Sequence, residues 1–231
     1  MSTVASMPAK SSFHSATRVN HSLTASLERR ALAWMAIRAP RWVTSDRLTL
    51  LGFAAQIGCG ACYALARLDR RFLLAAVACL ALNWLGDSLD GTLARVRRIE
   101  RPRYGFYVDH MADVFGSVAL MLGLGCSGLL YPAVAVAMLL AFLVLAAESY
   151  LATYTLSRFQ LSLGLFGPTE IRIVLAIGTL ELLRNPWATV FGHRFLLFDI
   201  GGVVAATIMF AMAVTVTLRH TAQLYREEPL P

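Results

Sequence analysis

The sequence predicts an all-α integral membrane protein, with six transmembrane helices preceded by an amphipathic helix lying in the membrane interface. Three observations lead there. Of the 231 residues, 57% are hydrophobic and only 15% are charged, a balance typical of polytopic membrane proteins and foreign to soluble domains. Several apolar runs reach the ~20 residues that a helix needs to cross ~30 Å of hydrocarbon. The basic residues are also unevenly spread: with the N-terminus inside, sixteen of the 21 Arg and Lys fall in cytoplasmic segments, the bias that sets membrane topology.

Residues 1–22 are polar, serine-rich and free of acids. They are expected to form a disordered cytoplasmic tail, because no apolar core of a secretory signal precedes a small-residue cleavage site. From Leu23 to Arg38 the apolar residues Leu23, Leu27, Ala31, Trp34 and Met35 recur at helical spacing, with Glu28, Arg29 and Arg30 mostly off that stripe. The stretch is too short and too charged to span. Residues 23–40 are therefore read as the interfacial helix, with Trp34 at headgroup depth; an amphipathic helix packed on the bundle would show the same pattern. Pro40 ends it.

The membrane domain is expected over residues 41–222, with spans at about 48–66, 72–94, 105–125, 130–155, 170–190 and 195–218, and a cytoplasmic tail over 223–231. Glu181, Arg184, Asn185 and Pro186 interrupt the fifth span. The formal charge of +7 belongs with anionic lipid headgroups, and nothing points to nucleic acid. Cys59 and Cys62 form a C-x-x-C beside Gly58, Gly60 and Ala61. With no further Cys or His nearby to complete a zinc site, the motif reads as close packing of small residues between helices.

Polar chemistry concentrates between Asp87 and Asp113. Four carboxylates, Asp87, Asp90, Asp109 and Asp113, fall within 27 positions together with Gly91, Ala94, Arg95 and Gly105. On a helix, Asp87 shares a face with Asp90 and Gly91, and Asp90 with Ala94. Gly105, Asp109 and Asp113 stand four apart and form a second stripe. Two helices joined by the polar link from Val96 to Tyr104 would press one stripe against the other. Carboxylates that close cannot all stay ionised without a cation between them. Hard oxygen ligands on rigid helices suit Mg²⁺ or Mn²⁺, as one ion or a pair, better than zinc. Gly91, Ala94 and Gly105 leave backbone bare for a flat ligand, and Arg95 offers a planar fork to a phosphate. Retaining several acids in an apolar bundle, at ~2.5–3.5 kcal/mol each on insertion scales, argues for a shared task.

The pattern Asp-x-x-Asp-Gly-x-x-Ala-Arg, a spacer of nine, then Gly-x-x-x-Asp-x-x-x-Asp resembles the signature of the CDP-alcohol phosphotransferases at all eight fixed positions. The resemblance implies that Asp87, Asp90 and Asp109 bind divalent ions, two in number, with Asp113 adjoining them and acting as the general base. It also implies that Gly91, Ala94, Arg95 and Gly105 hold the CDP portion and that the protein is a homodimer; the basic-residue bias places the active site on the cytoplasmic side. The segment Arg41 to Thr49 is similar to the one by which the family enters its first span, with Asp46 where the family has Asn. Gly167-Pro168-Thr169-Glu170, Glu148-Ser149-Tyr150 and Asp109-His110 resemble pieces of the choline and ethanolamine phosphotransferase branch, with Leu151 where that branch has His.

Outside the motif, Thr49, Glu148, Arg158 and Arg172 are candidates for contacting an acceptor or supporting the site. Glu148, an acid near the end of the fourth span, would alternatively pair with an arginine. His110 follows Asp109 directly and on a helix points about 100° away from it, toward a supporting or surface position. Together these features imply a transferase that moves a substituted phosphate, most simply phosphatidyl from CDP-diacylglycerol, to an alcohol with release of CMP. The alternatives are a CDP-aminoalcohol donor with diacylglycerol as acceptor, or a membrane protein that conducts cations through its acidic cluster.

Overall fold

The computed structural model describes residues 17–18, 25–156, 158–159, 167–228 and 230. The chain runs β1 (Thr17–Arg18), α1 (Ala25–Arg38), α2 (Ser45–Leu65), α3 (Phe72–Arg97), α4 (Pro102–Cys126), α5 (Pro132–Leu156), β2 (Arg158–Phe159), α6 (Pro168–Arg184), β3 (Trp187–Val190), β4 (His193–Leu196) and α7 (Leu197–Glu227). The tail expected over residues 1–22 lies outside the described residues apart from β1, which pairs in parallel with β2.

Five helices, α2, α3, α4, α5 and α7, are long and apolar enough to cross a membrane, and the protein is a multi-pass integral membrane protein. The fifth expected segment is shorter than anticipated. Its helix, α6, has 17 residues, about 26 Å at 1.5 Å per residue, and stops at Arg184 instead of continuing to residue 190. Asn185 leaves the helical region at φ −149° and Pro186 cannot extend it. Trp187–Val190 instead pairs antiparallel with His193–Leu196. Phe191 (φ 51°) and Gly192 (φ 80°) make the turn, and positive φ at both central residues is what a two-residue hairpin loop needs. At the other end, α7 continues to Glu227, through the first residues of the segment read as a C-terminal tail.

Local chemistry sets the helix starts. Thr44 accepts a hydrogen bond from the Arg47 amide and caps α2. Pro102 and Pro168 open α4 and α6, where a missing N–H costs nothing. The Glu170 carboxylate accepts from the Gly167 amide at 2.9 Å, closing the first turn of α6.

Helix α2 is the hub, packed on α3 and α4; α5 bridges α4 and α7, while α6 and α1 both lie against α3. Two glycine contacts set its crossings. A Cβ on Gly86 would lie 2.5 Å from the Gly52 amide nitrogen, and one on Gly123 would run into the Gly60 carbonyl. Backbones approach this closely only where side chains are absent. Cys59 is buried in the adjoining core with Tyr63, Leu73, Leu80, Leu124 and Leu182, and the Tyr63 hydroxyl meets Thr179 Oγ1 at 2.6 Å.

Helix α1 packs on the bundle by the side opposite Trp34. Leu32 and Ala36 face inward, against Leu48, Leu89 and Leu93, with Met35 and Ala39 beside them. Ala31 is exposed and Trp34 is 57% exposed. Glu28, one turn before Leu32, therefore lies on the packed side.

Candidate active site

Asp87 on α3 and Asp109 and Asp113 on α4 each offer a carboxylate oxygen, and the three oxygens lie within 4.8 Å of one another. The link between the helices is only residues 98–101, because α3 runs to Arg97 and α4 starts at Pro102. Arg98 makes the reversal in the left-handed region at φ 55°. That short turn places the two acidic stripes face to face.

Charges at 4.8 Å repel by about 3 kcal/mol per pair at an effective dielectric of about 20, so the cluster needs a counter-charge. Part of it comes from α6: Arg172 Nη2 donates to Asp87 at 2.7 Å, and both side chains are largely shielded from solvent. Arg172 Nε donates to Asn83 Oδ1 at 2.7 Å, and Asn83 Nδ2 donates to the Gly52 carbonyl at 3.0 Å. The all-oxygen donor set fits a hard divalent cation. The cavity they enclose, lined also by Thr49, Gly52, Gln56, Asn83 and Asp90, measures about 10 Å³, roughly the room of one water-sized sphere.

Asp90 lines this cavity but stands apart from the closest trio. Its Oδ2 accepts from Thr49 Oγ1 on α2 at 2.6 Å, and its carbonyl accepts from Ser45 Oγ at 3.0 Å. A Cβ on Gly91 would meet only the Arg95 guanidinium, and one on Gly105 would meet nothing within 4 Å. Each glycine is one turn from an acid of the cluster; Gly105 opens onto free space and Gly91 faces the Arg95 side chain. Ala94 is half-buried, and Arg95 is exposed with Nη2 donating to Thr92 Oγ1 at 3.1 Å.

The other sequence candidates scatter. His110 is buried, in the supporting rather than the surface position: Nδ1 donates to the Phe106 carbonyl at 2.6 Å and lies 3.9 Å from Asp109 Oδ2, and the ring stacks on Phe106 and meets Tyr150 edge-on. Glu148 pairs with a histidine, not an arginine; His220 Nδ1 on α7 lies 2.6 Å from its Oε1. Neither lines the acidic cavity. Asp46, at the position where Asn was expected, forms an ion pair with Arg101. The side chain of Arg158 lies outside the described residues. Asn83 was missed at the sequence level, although it stands one turn before Asp87 on the same face. Glu28 was missed because its partners Trp84, Ser88 and Thr169 lie far off in the chain.

A family model for CDP-alcohol phosphatidyltransferase matches residues 42–218. Comparison of the sequence with curated proteins gives no match. Among solved structures, the chain resembles the crystal structure of Mycobacterium tuberculosis phosphatidylinositol phosphate synthase with CDP-DAG bound, at 19% identity and a TM-score of 0.50, over 87% of this chain and 92% of that one. At that identity the likeness is one of fold. The matched stretch takes in the paired helices α3 and α4 and all eight motif positions, and the chain belongs to the CDP-alcohol phosphatidyltransferase family of enzymes.

Proposed function

We propose that the protein transfers the phosphatidyl group of CDP-diacylglycerol to the hydroxyl of an alcohol and releases CMP. The observation that carries this reading is the convergence of Asp87, Asp109 and Asp113 one helical turn from two glycines, Gly105 open to free space and Gly91 facing only the Arg95 side chain. Family membership and the donor named for the structural relative support it.

Asp87, Asp90, Asp109 and Asp113 would hold Mg²⁺ or Mn²⁺, as a pair of ions, whose charge would offset that of the diphosphate and of the departing CMP. The open backbone at Gly91, Ala94 and Gly105 accommodates the CDP portion, with Arg95 reaching a phosphate. Asp113 takes the proton of the acceptor hydroxyl as its oxygen bonds to the phosphorus carrying the diacylglycerol, and the bond from that phosphorus to CMP breaks in line. Thr49 holds the Asp90 carboxylate in place. Arg172 Nη1 is buried without a hydrogen-bond partner among the described residues, and a phosphate oxygen of either substrate would satisfy it. Packing by apolar helices keeps competing water away from the donor.

The same reading takes residues 41–222 as the catalytic domain and α6 as the sixth membrane segment. Sixteen of 21 basic residues on one side support a mouth facing the cytoplasm. The outward apolar row of α7, including Val203, Phe210 and Val214, suits lipid or the second copy of a homodimer. Purified protein with CDP-diacylglycerol, a panel of alcohols and Mn²⁺ tests the proposal. CMP should appear together with one new lipid, and Asp113→Asn should abolish both. CMP from a CDP-aminoalcohol and diacylglycerol alone would move the protein to the choline and ethanolamine branch. Cation flux without CMP from any donor would overturn the reading.

A further inference from the structure

Helix α1 precedes the family-matched stretch, yet it is fastened to the site. A single oxygen, Glu28 Oε1, accepts from Trp84 Nε1 at 2.9 Å and Ser88 Oγ at 3.3 Å on α3, and from Thr169 Oγ1 at 2.8 Å on α6. Trp84 and Ser88 flank Asp87 on its own helix. Thr169 lies three residues before Arg172, whose Nη2 reaches the same Asp87. The contacts therefore close a ring that begins and ends at one carboxylate: Glu28 to α3, α3 through Asp87 to Arg172, and α6 through Thr169 back to Glu28. The far end of α1 is fixed as well, since Arg97 Nη2 donates to the Ala39 and Pro40 carbonyls at 2.9 Å each.

A charged acceptor shared by three donors is stronger than neutral pairs, and its removal strands the indole N–H and the Thr169 hydroxyl in a partly buried junction. We infer that Glu28 is a positioning residue, which sets the orientation of Asp87 by locking α3 and α6 together through the interfacial helix. The inference rests on the reading of Asp87 as a ligand of the divalent ion.

The test compares Glu28→Ala, Glu28→Gln and Leu32→Ala in the full-length protein, reading Mn²⁺ binding from the free-ion paramagnetic resonance signal, Tm, and kcat and KM for CDP-diacylglycerol. Glu28→Ala should weaken Mn²⁺ binding about tenfold, the lower end for residues that orient metal ligands, and lower kcat more than it raises KM. Glu28→Gln, which keeps an acceptor oxygen, should recover most of the loss. Leu32→Ala loosens the docking of α1 without touching the carboxylate, so it should lower Tm and leave Mn²⁺ affinity unchanged. Wild-type Mn²⁺ affinity in Glu28→Ala, or an equal loss in Leu32→Ala, would overturn the inference. Should Glu28→Ala fail to fold, Thr169→Val removes one donor only and must still weaken Mn²⁺ binding; no change would again overturn it. A wild-type protein that binds Mn²⁺ but releases no CMP sinks the transferase reading and leaves the Glu28 comparison intact.

Discussion

Gly86→Ala is the most incisive single change. The added methyl would sit 2.5 Å from the Gly52 nitrogen, 2.6 Å from the Leu48 carbonyl oxygen and 2.7 Å from the Gly52 Cα. All three are backbone atoms of α2, so no side chain can swing aside. Restoring ordinary contact at 3.4 Å requires α2 and α3 to part by about 0.9 Å, the difference between 3.4 and 2.5. Asp87 is the next residue, and its oxygen moves with α3 while Asp109 and Asp113 stay on α4. Alanine gains up to about 1 kcal/mol in helix propensity, but overpacking costs about 1–3 kcal/mol, so a net loss of roughly 1 kcal/mol is expected. Activity should suffer far more, because a displacement of about 1 Å at reacting groups costs on the order of 10²-fold. Metal-dependent CMP release and thermal unfolding measured side by side separate the two effects. Gly58→Ala serves as the control, its Cβ lying at an ordinary 3.5 Å from Cys79 Sγ. Wild-type turnover in Gly86→Ala would refute the claim that this glycine contact sets the position of Asp87.

Three further changes probe other parts of the site. Gly91→Leu should abolish CDP-diacylglycerol binding while leaving Tm near wild type, since the space it fills holds only the Arg95 side chain; unchanged donor affinity in a binding assay would remove the nucleotide assignment. Arg172→Gln deletes the 2.7 Å partner of Asp87 and should cost about 1–3 kcal/mol, between exposed and buried ion pairs. Because a bound cation takes over the neutralisation, the Tm deficit of this variant should shrink as Mn²⁺ is added, and an equal deficit with and without Mn²⁺ would contradict the electrostatic account. Arg98→Cys, at the turn between α3 and α4 and in a Cys126→Ser background because Cys126 at the other end of α4 is itself exposed, should react with an impermeant thiol reagent only from the cytoplasmic side; labelling from the opposite face would invert the proposed orientation.

The meeting of Asp87 with Asp109 and Asp113 was legible because both links are local. A period of 3.6 residues puts Gly105, Asp109 and Asp113 on one stripe, and a short polar link forces neighbouring helices together. The arrangement of Asp90 was less so. Its spacing from Asp87 is right for a shared face, but Thr49, 41 residues away, draws its carboxylate toward α2, and periodicity carries no information about a third helix. The same limit hid the Glu148–His220 pair, separated by 72 residues. Which side of helix α1 packs on the bundle was not legible: apolar residues can face lipid as readily as protein, and the inward side is marked by Leu32, Ala36 and Glu28 while Trp34 stays exposed. The hairpin after α6 was concealed by hydropathy. Trp187, Val190, Phe195 and Leu196 look like a continuing span until Pro186 and Gly192 are given their due as turn formers.

The connection at residues 98–101 carries one more consequence. Four residues reach at most about 14 Å when fully stretched, so the ends of α3 and α4 next to the acidic cluster stay tethered even if the helices splay farther along. Loss of a cation would leave its ligands close at hand, ready to recapture the next one without the entropic penalty of reassembling distant groups. The hinge between the two acid-bearing helices has almost no slack.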